Sequence, residues 1–310
     1  MINVYIVSGF LGAGKTTFIQ KLLKEKKFEK VMLLENEFGE VGVDGAFFDS
    51  SLNVKEINNG CICCSLQGDF EDALEEIEDM GISDLLIEPS GVGKLSEIIN
   101  VVRKDDDFRI VSHICIVDVK TCRKYHLNFK EYFDDQVKAA NTIILSHTDV
   151  ADEETIDLAK KVVMEINQEA EIVAEPIENM ETEKLLDLIV SGGDILPEED
   201  EDDDHDHEHE HHHHHDGDDD DDDDEDELFK NYILRPERSF TKEELEKAFE
   251  NVPEDIIRIK GYVNSAEGTL YFNYVLNEYN IFVGEHRDDT LVSIIGTSID
   301  KEYFKGLFND

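Results

Sequence analysis

Apolar runs and polar stretches follow one another regularly through residues 1–195, and their spacing predicts strands and helices in turn. Several of the runs, such as Ile143-Ile144-Leu145, are uninterrupted, which is typical of parallel strands buried on both faces. The predicted strands are 3–7, 31–35, 53–57, 84–88, 110–117, 141–146 and 171–174. The predicted helices between them include 66–80, 152–168 and 181–190. This alternation predicts an α/β fold, with a mostly parallel sheet and helices on both faces.

The last part of the chain has a different pattern, in which strands are close together and helices are few. Thr241 is a suitable N-cap for one of these helices, with Glu244 three residues later. The predicted strands are 229–235, 256–264, 269–276, 279–284 and 291–296, and the predicted helices are 241–250 and 300–308. We therefore expect a small α+β domain, with a mostly antiparallel sheet and helices on one face.

A segment of low complexity separates these two parts. Residues 198–227 hold 21 carboxylates, no Lys or Arg and almost no apolar residues. Such a segment cannot bury enough surface to fold alone, so it is predicted to be disordered. The predicted organisation is a P-loop domain at 1–197, a linker at 198–227 and a C-terminal domain at 228–310.

The overall charge and the cysteine content narrow the function classes. The formal net charge of -46 argues against nucleic acid and anionic membranes as partners. No apolar run approaches the ~20 residues of a membrane-spanning helix, and no signal peptide is evident. Three of the five cysteines fall within 61–64, which does not resemble a disulfide framework. The expected compartment is a reducing cytoplasm.

Residues 9–16 match the phosphate-binding pattern G-x-x-x-x-G-K-[ST] in full. The pattern lies between a predicted strand and an amphipathic helix, where glycines let successive backbone N–H groups point at phosphates. The helix N-terminus adds a favourable partial charge. Lys15 is predicted to reach the β- and γ-phosphates, and the Thr16 hydroxyl to bind Mg²⁺. The sequence therefore predicts a P-loop NTPase domain.

A second nucleotide-binding element is predicted where the apolar strand 84–88 ends. Glu88 would act through the Mg²⁺ shell or orient the attacking water, and Gly91 would let the backbone approach the γ-phosphate. Asp118 is another carboxylate at a strand end. It fits a role at the site and a role as a helix cap or turn residue equally well.

The quartet Ser146-His147-Thr148-Asp149 follows the strand 141–145, where guanine-binding proteins usually carry Asn-Lys-x-Asp. Asp149 would accept hydrogen bonds from the guanine ring N–H and amino group. His147 replaces the Lys and is able to stack on a purine, while Ser146 is shorter than Asn and makes fewer hydrogen bonds. The prediction is GTP, with relaxed selectivity as the alternative.

Cys61, Cys63 and Cys64 form a compact set of soft metal ligands. Thiolates bind soft or borderline ions, and tetrahedral zinc needs at least one further ligand. The segment 35–44 holds several carboxylates beside glycines, with Glu37 and Glu40 as predicted metal ligands. This segment would order around Mg²⁺ and the γ-phosphate, or complete the cysteine site. For the cysteines, the alternatives are small buried residues or a redox pair. For the segment 35–44, the alternative is a polar surface loop.

A histidine-rich tract lies inside the acidic segment and holds eight of the twelve histidines. Imidazoles bind Zn²⁺, Co²⁺, Ni²⁺ and Cu²⁺, with affinity that falls as histidine is protonated. The predicted ligands are His205, His207 and His209. A merely solvated acidic linker is the alternative.

Together these motifs resemble the CobW-like family of SIMIBI-class P-loop GTPases. The resemblance covers most of the chain, and NNGCICCSL at 58–66 is its most specific part. The other matching segments are GFLGAGKTT (9–17), NEFGEVGVDG (36–45), EPSG (88–91), SHTD (146–149) and RIKG (258–261). The sequence departs from the family at EPSG, where Thr often follows the Glu, and at SHTD. The predicted nucleotide-binding residues are Gly9, Gly12, Ala13, Gly14, Lys15, Thr16, Thr17, Gly91 and Asp149.

The resemblance implies a GTPase metallochaperone that uses Mg²⁺ and carries zinc, or cobalt, to a client protein. Its matching positions would make Lys15 and Thr16 nucleotide and Mg²⁺ ligands, and Cys61, Cys63 and Cys64 the cargo site. The residues themselves predict Lys15 and Glu88 as catalytic. The oligomeric state is open, although P-loop proteins resembling this one often form a homodimer around nucleotide. Two alternatives remain open. One is a metal buffer that uses the His/Asp tract, and the other is a factor in cobalamin biosynthesis.

Overall fold

A seven-stranded sheet forms the larger half of the molecule. The computed structural model describes residues 1–26, 28–38, 53–59, 65–190, 228–253, 255–275, 278–284 and 286–309. The strands are β1 (Ile2–Gly9), β2 (Val31–Phe38), β3 (Asn53–Asn59), β4 (Asp84–Glu88), β5 (Phe108–Asp118), β6 (Thr142–Ser146) and β7 (Glu171–Val173). Their order across the sheet is β3-β2-β4-β1-β5-β6-β7, and every pairing is parallel.

The central position of β1 explains where the candidate site lies. β1 is paired with β4 on one side and β5 on the other, so the chain leaves the sheet at Gly9 between the ends of these two strands. The carboxyl ends of parallel strands share one edge, and chain reversals on either side of β1 open a crevice there. Glu88, Asp118 and Ser146 all lie at that edge, at the ends of β4, β5 and β6.

Helices cover both faces of this sheet because each presents an apolar stripe to it. They are α1 (Lys15–Glu25), α2 (Ser65–Glu78), α3 (Leu95–Arg103), α4 (Cys122–Asn128), α5 (Lys130–Lys138), α6 (Glu153–Ile166) and α7 (Thr182–Leu188). Phe18 and Leu22 of α1 pack with Leu185 of α7 on one face. On the opposite face, α2 to α6 contribute side chains such as Phe70 and Val102.

The C-terminal part forms a separate five-stranded antiparallel sheet. Its strands are β8 (Lys230–Leu234), β9 (Ile256–Ser265), β10 (Gly268–Val275), β11 (Glu278–Gly284) and β12 (Leu291–Gly296), in the order β11-β10-β9-β12-β8. Two helices, α8 (Lys242–Phe249) and α9 (Lys301–Asn309), pack on one face through side chains that include Leu245 and Phe304. α8 begins with the capping box of Thr241 and Glu244 that the sequence predicts.

The predicted fold class is confirmed: a parallel sheet with helices on both faces and a small α+β domain after it. The predicted strands 84–88 and 291–296 have the same bounds in the structure, and the other strands are within three residues at each end. The predicted linker at 198–227 lies outside the described residues, and the domain boundaries stay a prediction.

Candidate functional site

The turn between β1 and α1 has the backbone of a phosphate-binding loop. Gly9, Gly12 and Gly14 all have positive φ angles, of 143°, 75° and 99°, which a side chain would strain. A Cβ on Gly9 would also lie 2.4 Å from the carbonyl oxygen of Ile116 in β5. These glycines therefore fix the path of the loop to the start of α1.

Lys15 is buried at the start of α1 and folds back over the loop. Its Nζ donates a hydrogen bond to the carbonyl oxygen of Gly9 across 3.0 Å. A cation held at the mouth of a loop of backbone N–H groups is placed to meet phosphate oxygens. The structure thus brings the predicted residues of the 9–16 loop together at one end of β1.

Thr16 and Glu88 meet beside this loop. The Thr16 hydroxyl donates to the Glu88 carboxylate, with oxygen separations of 3.1 and 3.4 Å. Glu88 is buried at the end of β4, and its neighbour in register on β2 is the buried Glu35. A hydroxyl with a buried carboxylate offers the hard oxygen ligands that Mg²⁺ prefers.

Glu35 is a further carboxylate at this edge of the sheet, and the motifs in the sequence do not single it out as a metal ligand. It is the first position of the segment 35–44, in which the predicted metal ligands are Glu37 and Glu40. The signal was present in the sequence, because Glu35 ends the apolar run 31–34 just as Glu88 ends the run 85–87. Glu37 lies further along β2, with its side chain outside the described residues, and Glu40 lies outside them altogether.

The loop 89–93 lies against the phosphate loop. A Cβ on Gly91 would be 2.5 Å from Cδ2 of Leu11 and 2.9 Å from its backbone nitrogen, so only glycine fits without displacing the loop. Gln136 of α5 donates from Nε2 to the carbonyl oxygens of Gly91, at 3.3 Å, and Gly93, at 2.7 Å. Nothing in the sequence singles out Gln136, since it lies in a mostly polar helix.

The predicted base-binding quartet follows β6 at the same edge. His147 has a positive φ of 57°, and its Nδ1 lies 3.2 Å from Oδ1 of the buried Asp118. The same Asp118 oxygen accepts a hydrogen bond from the backbone N–H of Lys120 at 2.9 Å. Asp118 therefore acts as a turn residue and also fixes the imidazole. Asp149 is exposed, where a base is able to reach it.

An aromatic cluster supports the phosphate loop from behind. We define it as Phe10, Tyr125, Phe129, Phe133 and Phe229, with ring centroids 4.1 to 6.5 Å from that of Phe10. The Tyr125 hydroxyl also donates to the carbonyl oxygen of Leu11 at 3.2 Å. Phe229 immediately precedes β8, so the C-terminal part of the chain contributes one wall of the cluster.

A second contact joins the C-terminal sheet to the phosphate loop. A Cβ on Gly12 would lie 3.3 Å from Cγ1 of Val275 at the end of β10. Ile257 and Ile295 of the same sheet belong to the apolar core on this side of the nucleotide-binding half. The C-terminal domain therefore packs directly on the candidate nucleotide site.

The predicted thiolate and histidine ligands lie outside the described residues. These are Cys61, Cys63, Cys64, His205, His207 and His209. The described strand β3 ends at Asn59, in register with Phe38 of β2, so the chain enters the CxCC segment at the edge of the sheet that carries the site.

Cys115 and Cys122 lie within the core and have a different character. Burial raises the pKa of both thiols to about 12, which disfavours the thiolate that binds metal.

Among the described residues, the metal-ligating side chains that cluster are Glu78, Asp105 and Asp107, at the end of the sheet opposite the site. None of the helices within the described ranges is long and apolar enough to cross a membrane.

Comparison with known proteins identifies curated relatives of about half of this chain. The protein is 35% identical over 163 residues to the zinc chaperone YjiA of Escherichia coli K12, covering 49% of this chain and 51% of the relative. It is 37% identical over 155 residues to the zinc chaperone YeiR of the same organism, covering 48% and 47%. The chain thus matches about half the length of these curated relatives.

A solved structure, that of Zn(II)-bound YjiA GTPase from E. coli, aligns with 99% of this chain and 98% of its own, at 21% identity and a TM-score of 0.46. Two family models match defined parts of the chain. Residues 3–174 match the CobW/HypB/UreG nucleotide-binding domain, and residues 229–310 match the C-terminal domain of the cobalamin synthesis protein cobW. The resemblance inferred from the motifs is confirmed, and the chain belongs to the CobW/HypB/UreG family, with a CobW-type C-terminal domain.

Proposed function

We propose that this protein is a GTP-hydrolysing metallochaperone, which binds a transition metal at Cys61, Cys63 and Cys64 and delivers it to a client protein under nucleotide control. The observation that carries the nucleotide part is the Thr16–Glu88 hydrogen bond beside the buried Lys15. Zinc is the first candidate for the cargo and cobalt the second. The names of the zinc chaperones YjiA and YeiR support zinc.

The residues at the phosphate loop fit a nucleoside triphosphate with Mg²⁺. The Thr16 hydroxyl and the Glu88 carboxylate would hold the ion, which when bound would neutralise charge on the phosphates. Lys15 would exchange its bond to the Gly9 carbonyl for bonds to the β- and γ-phosphates. Glu88 would orient the attacking water, and the N–H groups of the loop would stabilise the negative charge.

Guanine recognition rests on the quartet 146–149. Asp149 would accept hydrogen bonds from the guanine ring N–H and amino group. His147 is held by Asp118 at 3.2 Å, so its ring would be fixed beside the base rather than free to turn. Since Ser146 lacks the amide of the usual Asn, we propose GTP as the substrate with weaker discrimination against ATP.

Nucleotide and cargo would be coupled through β2 and β3. The ends of these strands lead into the segments 39–52 and 60–64, which carry Glu40 and the three cysteines. A dication beside Glu88 and Glu35 would set the position of β2, and thereby the distance between these segments. Hydrolysis would then weaken the thiolate site and release the metal, in a compartment we propose to be the cytoplasm.

The test is the Zn²⁺ affinity of the full chain, measured by chelator competition with GDP and with a non-hydrolysable GTP analogue, both with Mg²⁺. We expect one tight equivalent that binds more strongly with the analogue and is lost in a Cys61→Ser/Cys63→Ser variant. The matched control is Cys115→Ala/Cys122→Ala, which removes two buried thiols and should leave the affinity unchanged. The proposal fails if the Cys61/Cys63 variant keeps nucleotide-dependent affinity.

A metal buffer is the second candidate, favoured by the eight histidines among the carboxylates of 198–227. Deleting 198–227 separates the two functions. A buffer would lose nearly all of its bound metal, whereas a chaperone would keep the single tight equivalent.

A further inference from the structure

We infer that Gln136 of α5 is a positioning residue for the γ-phosphate: it holds the loop 89–93 in the conformation that distinguishes a nucleoside triphosphate from a diphosphate. This inference rests on the proposed function, because it assigns a role within the same nucleotide site. Gln136 acts through the backbone of Gly91 and Gly93, to which it donates its hydrogen bonds.

The geometry of the Gln136 amide leaves one orientation. Both of its close neighbours are carbonyl oxygens, so the nitrogen must face them, and it donates at 3.3 and 2.7 Å. The side chain is only 1% exposed. These two bonds restrain the peptide planes on the C-terminal side of Gly91 and Gly93. They add to the bonds that Ser90 accepts within the loop from the backbone N–H groups of Val92 and Gly93.

The other end of the amide supports a specific role. Within the part of the chain that the structure describes, Oε1 of Gln136 is buried and accepts no hydrogen bond. A buried acceptor of this kind is unfavourable, and an apolar side chain of equal length would avoid it. The presence of the amide is therefore explained by what its nitrogen holds, not by packing.

The loop that Gln136 holds is the one that would meet the γ-phosphate. Gly91 follows Glu88 by three residues, and its Cα lies so close to Leu11 of the phosphate loop that a Cβ would clash. A small rotation at Gly91 would therefore change the contact between the two loops. The β-phosphate, by contrast, would be held by the backbone of Gly12 to Lys15 in the phosphate loop.

The test compares nucleotide affinities in a Gln136→Met variant, which keeps the length of the side chain and loses both hydrogen bonds. We expect affinity for a non-hydrolysable GTP analogue to fall about ten-fold, the effect of roughly two neutral hydrogen bonds, with little change for GDP. The matched control is Asn167→Leu. Asn167 Nδ2 likewise donates to backbone carbonyls, but to those of Val137, Lys138 and Ala140 at the C-terminal end of α5 and not to the loop 89–93.

The outcomes separate the two ideas. If the wild-type protein binds neither nucleotide, the proposed function fails. If it binds both and Gln136→Met leaves the ratio of the two affinities unchanged, or Asn167→Leu lowers it equally, the inference alone is wrong. Should Gln136→Met not fold, the same two nucleotide affinities are measured in Gln136→Glu. Hydrogen exchange on the wild-type protein then gives an independent test of the inference. The analogue, but not GDP, must slow exchange at 89–94, and equal protection by both nucleotides overturns the inference.

Discussion

The hydroxyl of Thr16 lies 3.1 Å from a carboxylate oxygen of Glu88, 72 residues further along the chain. The bond joins the first turn of α1 to the end of β4, two elements that parallel pairing brings to the same edge of the sheet. A hydroxyl and a carboxylate are both oxygen ligands of the kind that Mg²⁺ accepts. The pair therefore marks the position at which Mg²⁺ would bridge the protein and the phosphates.

Replacing Glu88 with Gln tests this position, because the side chain keeps its size and loses its charge. We expect Mg²⁺-dependent GTP hydrolysis to fall on the order of 10²-fold, as when a group that stabilises the transition state is removed. GDP affinity without Mg²⁺ should remain near that of the wild type. Single-turnover hydrolysis and GDP titration measure the two effects, with Glu165→Gln on the surface of α6 as the control. A wild-type rate in Glu88→Gln would place the catalytic carboxylate elsewhere.

Two glycines of one loop should respond very differently to the same change. In Gly91→Ala the new Cβ would lie 2.5 Å from Cδ2 of Leu11 and 2.9 Å from its nitrogen, so the phosphate loop must shift. In Gly93→Ala the nearest atom would be 3.4 Å away, an ordinary contact. We expect Gly91→Ala to abolish binding of a GTP analogue and Gly93→Ala to retain it, measured by isothermal titration. Similar affinities would show that the two loops are not in contact in the nucleotide complex.

The local pattern of apolar residues was sufficient to predict the strands that consist of uninterrupted apolar runs. The strand 84–88 is bounded as predicted because its apolar residues are contiguous and end at a carboxylate. The apolar spacing did not specify α4 and α5, because these helices have only 7 and 9 residues and few apolar positions to show a helical period. Gln136 and Phe229 could not be assigned roles from sequence, since each acts across a tertiary contact with a loop distant in the chain.

The base specificity should follow the chemistry of residue 149. The Asp149 carboxylate would accept two hydrogen bonds from guanine, whereas an amide offers one acceptor and one donor. We therefore expect Asp149→Asn to weaken GTP binding about 10²-fold and to favour xanthosine triphosphate, which has an oxygen in place of the amino group. The control is Asp152→Asn, because Asp152 caps α6 by accepting from the Thr155 N–H at 2.8 Å and Asn caps equally well. Unchanged base preference in Asp149→Asn would exclude this residue from the base site.

Stability should depend on pH through a carboxylate pair far from the site. A hydrogen bond with Asp105, followed by burial and the charges of Asp105, Asp107 and Asp79, raises the pKa of Glu78 to about 7. The folded state then keeps a proton that the unfolded state, with a pKa near 4.5, has released. The stabilisation that protonated Glu78 contributes is therefore fully present below about pH 4.5 and is lost as the pH rises through 7.

Asp105→Asn should remove much of this dependence. We expect the variant to melt at a higher temperature than the wild type at pH 8 and at nearly the same temperature at pH 4.5. Asp106→Asn removes the same charge from an exposed neighbour outside the cluster, and it controls for the change in net charge. If both variants raise the melting temperature equally at pH 8, general repulsion in this acidic chain explains the effect and the Glu78–Asp105 pair does not.

The contact between Phe229 and Phe10 should make nucleotide binding depend on the C-terminal domain. Phe229 is fully buried, with its ring centroid 6.3 Å from that of Phe10 and 5.3 Å from that of Phe129. Phe229→Ala should cost about 3 kcal/mol of stability, as for other buried Phe truncations, and leave a cavity behind the phosphate loop. We expect weaker binding of GDP and of a GTP analogue by the same factor, since the whole loop loses support.

Phe240→Ala is the matched control for this last prediction. Phe240 is also buried, but it packs on Phe308 in the core between α8, α9 and the C-terminal sheet, away from the phosphate loop. It should lower the melting temperature of the C-terminal domain and leave the affinity of the folded protein for both nucleotides unchanged. If the two variants weaken nucleotide binding equally, the C-terminal domain affects nucleotide affinity only through the overall stability of the protein. If only Phe229→Ala does so, the aromatic cluster links the C-terminal domain to the phosphate loop, and a partner that displaces Phe229 would weaken nucleotide binding in the same way.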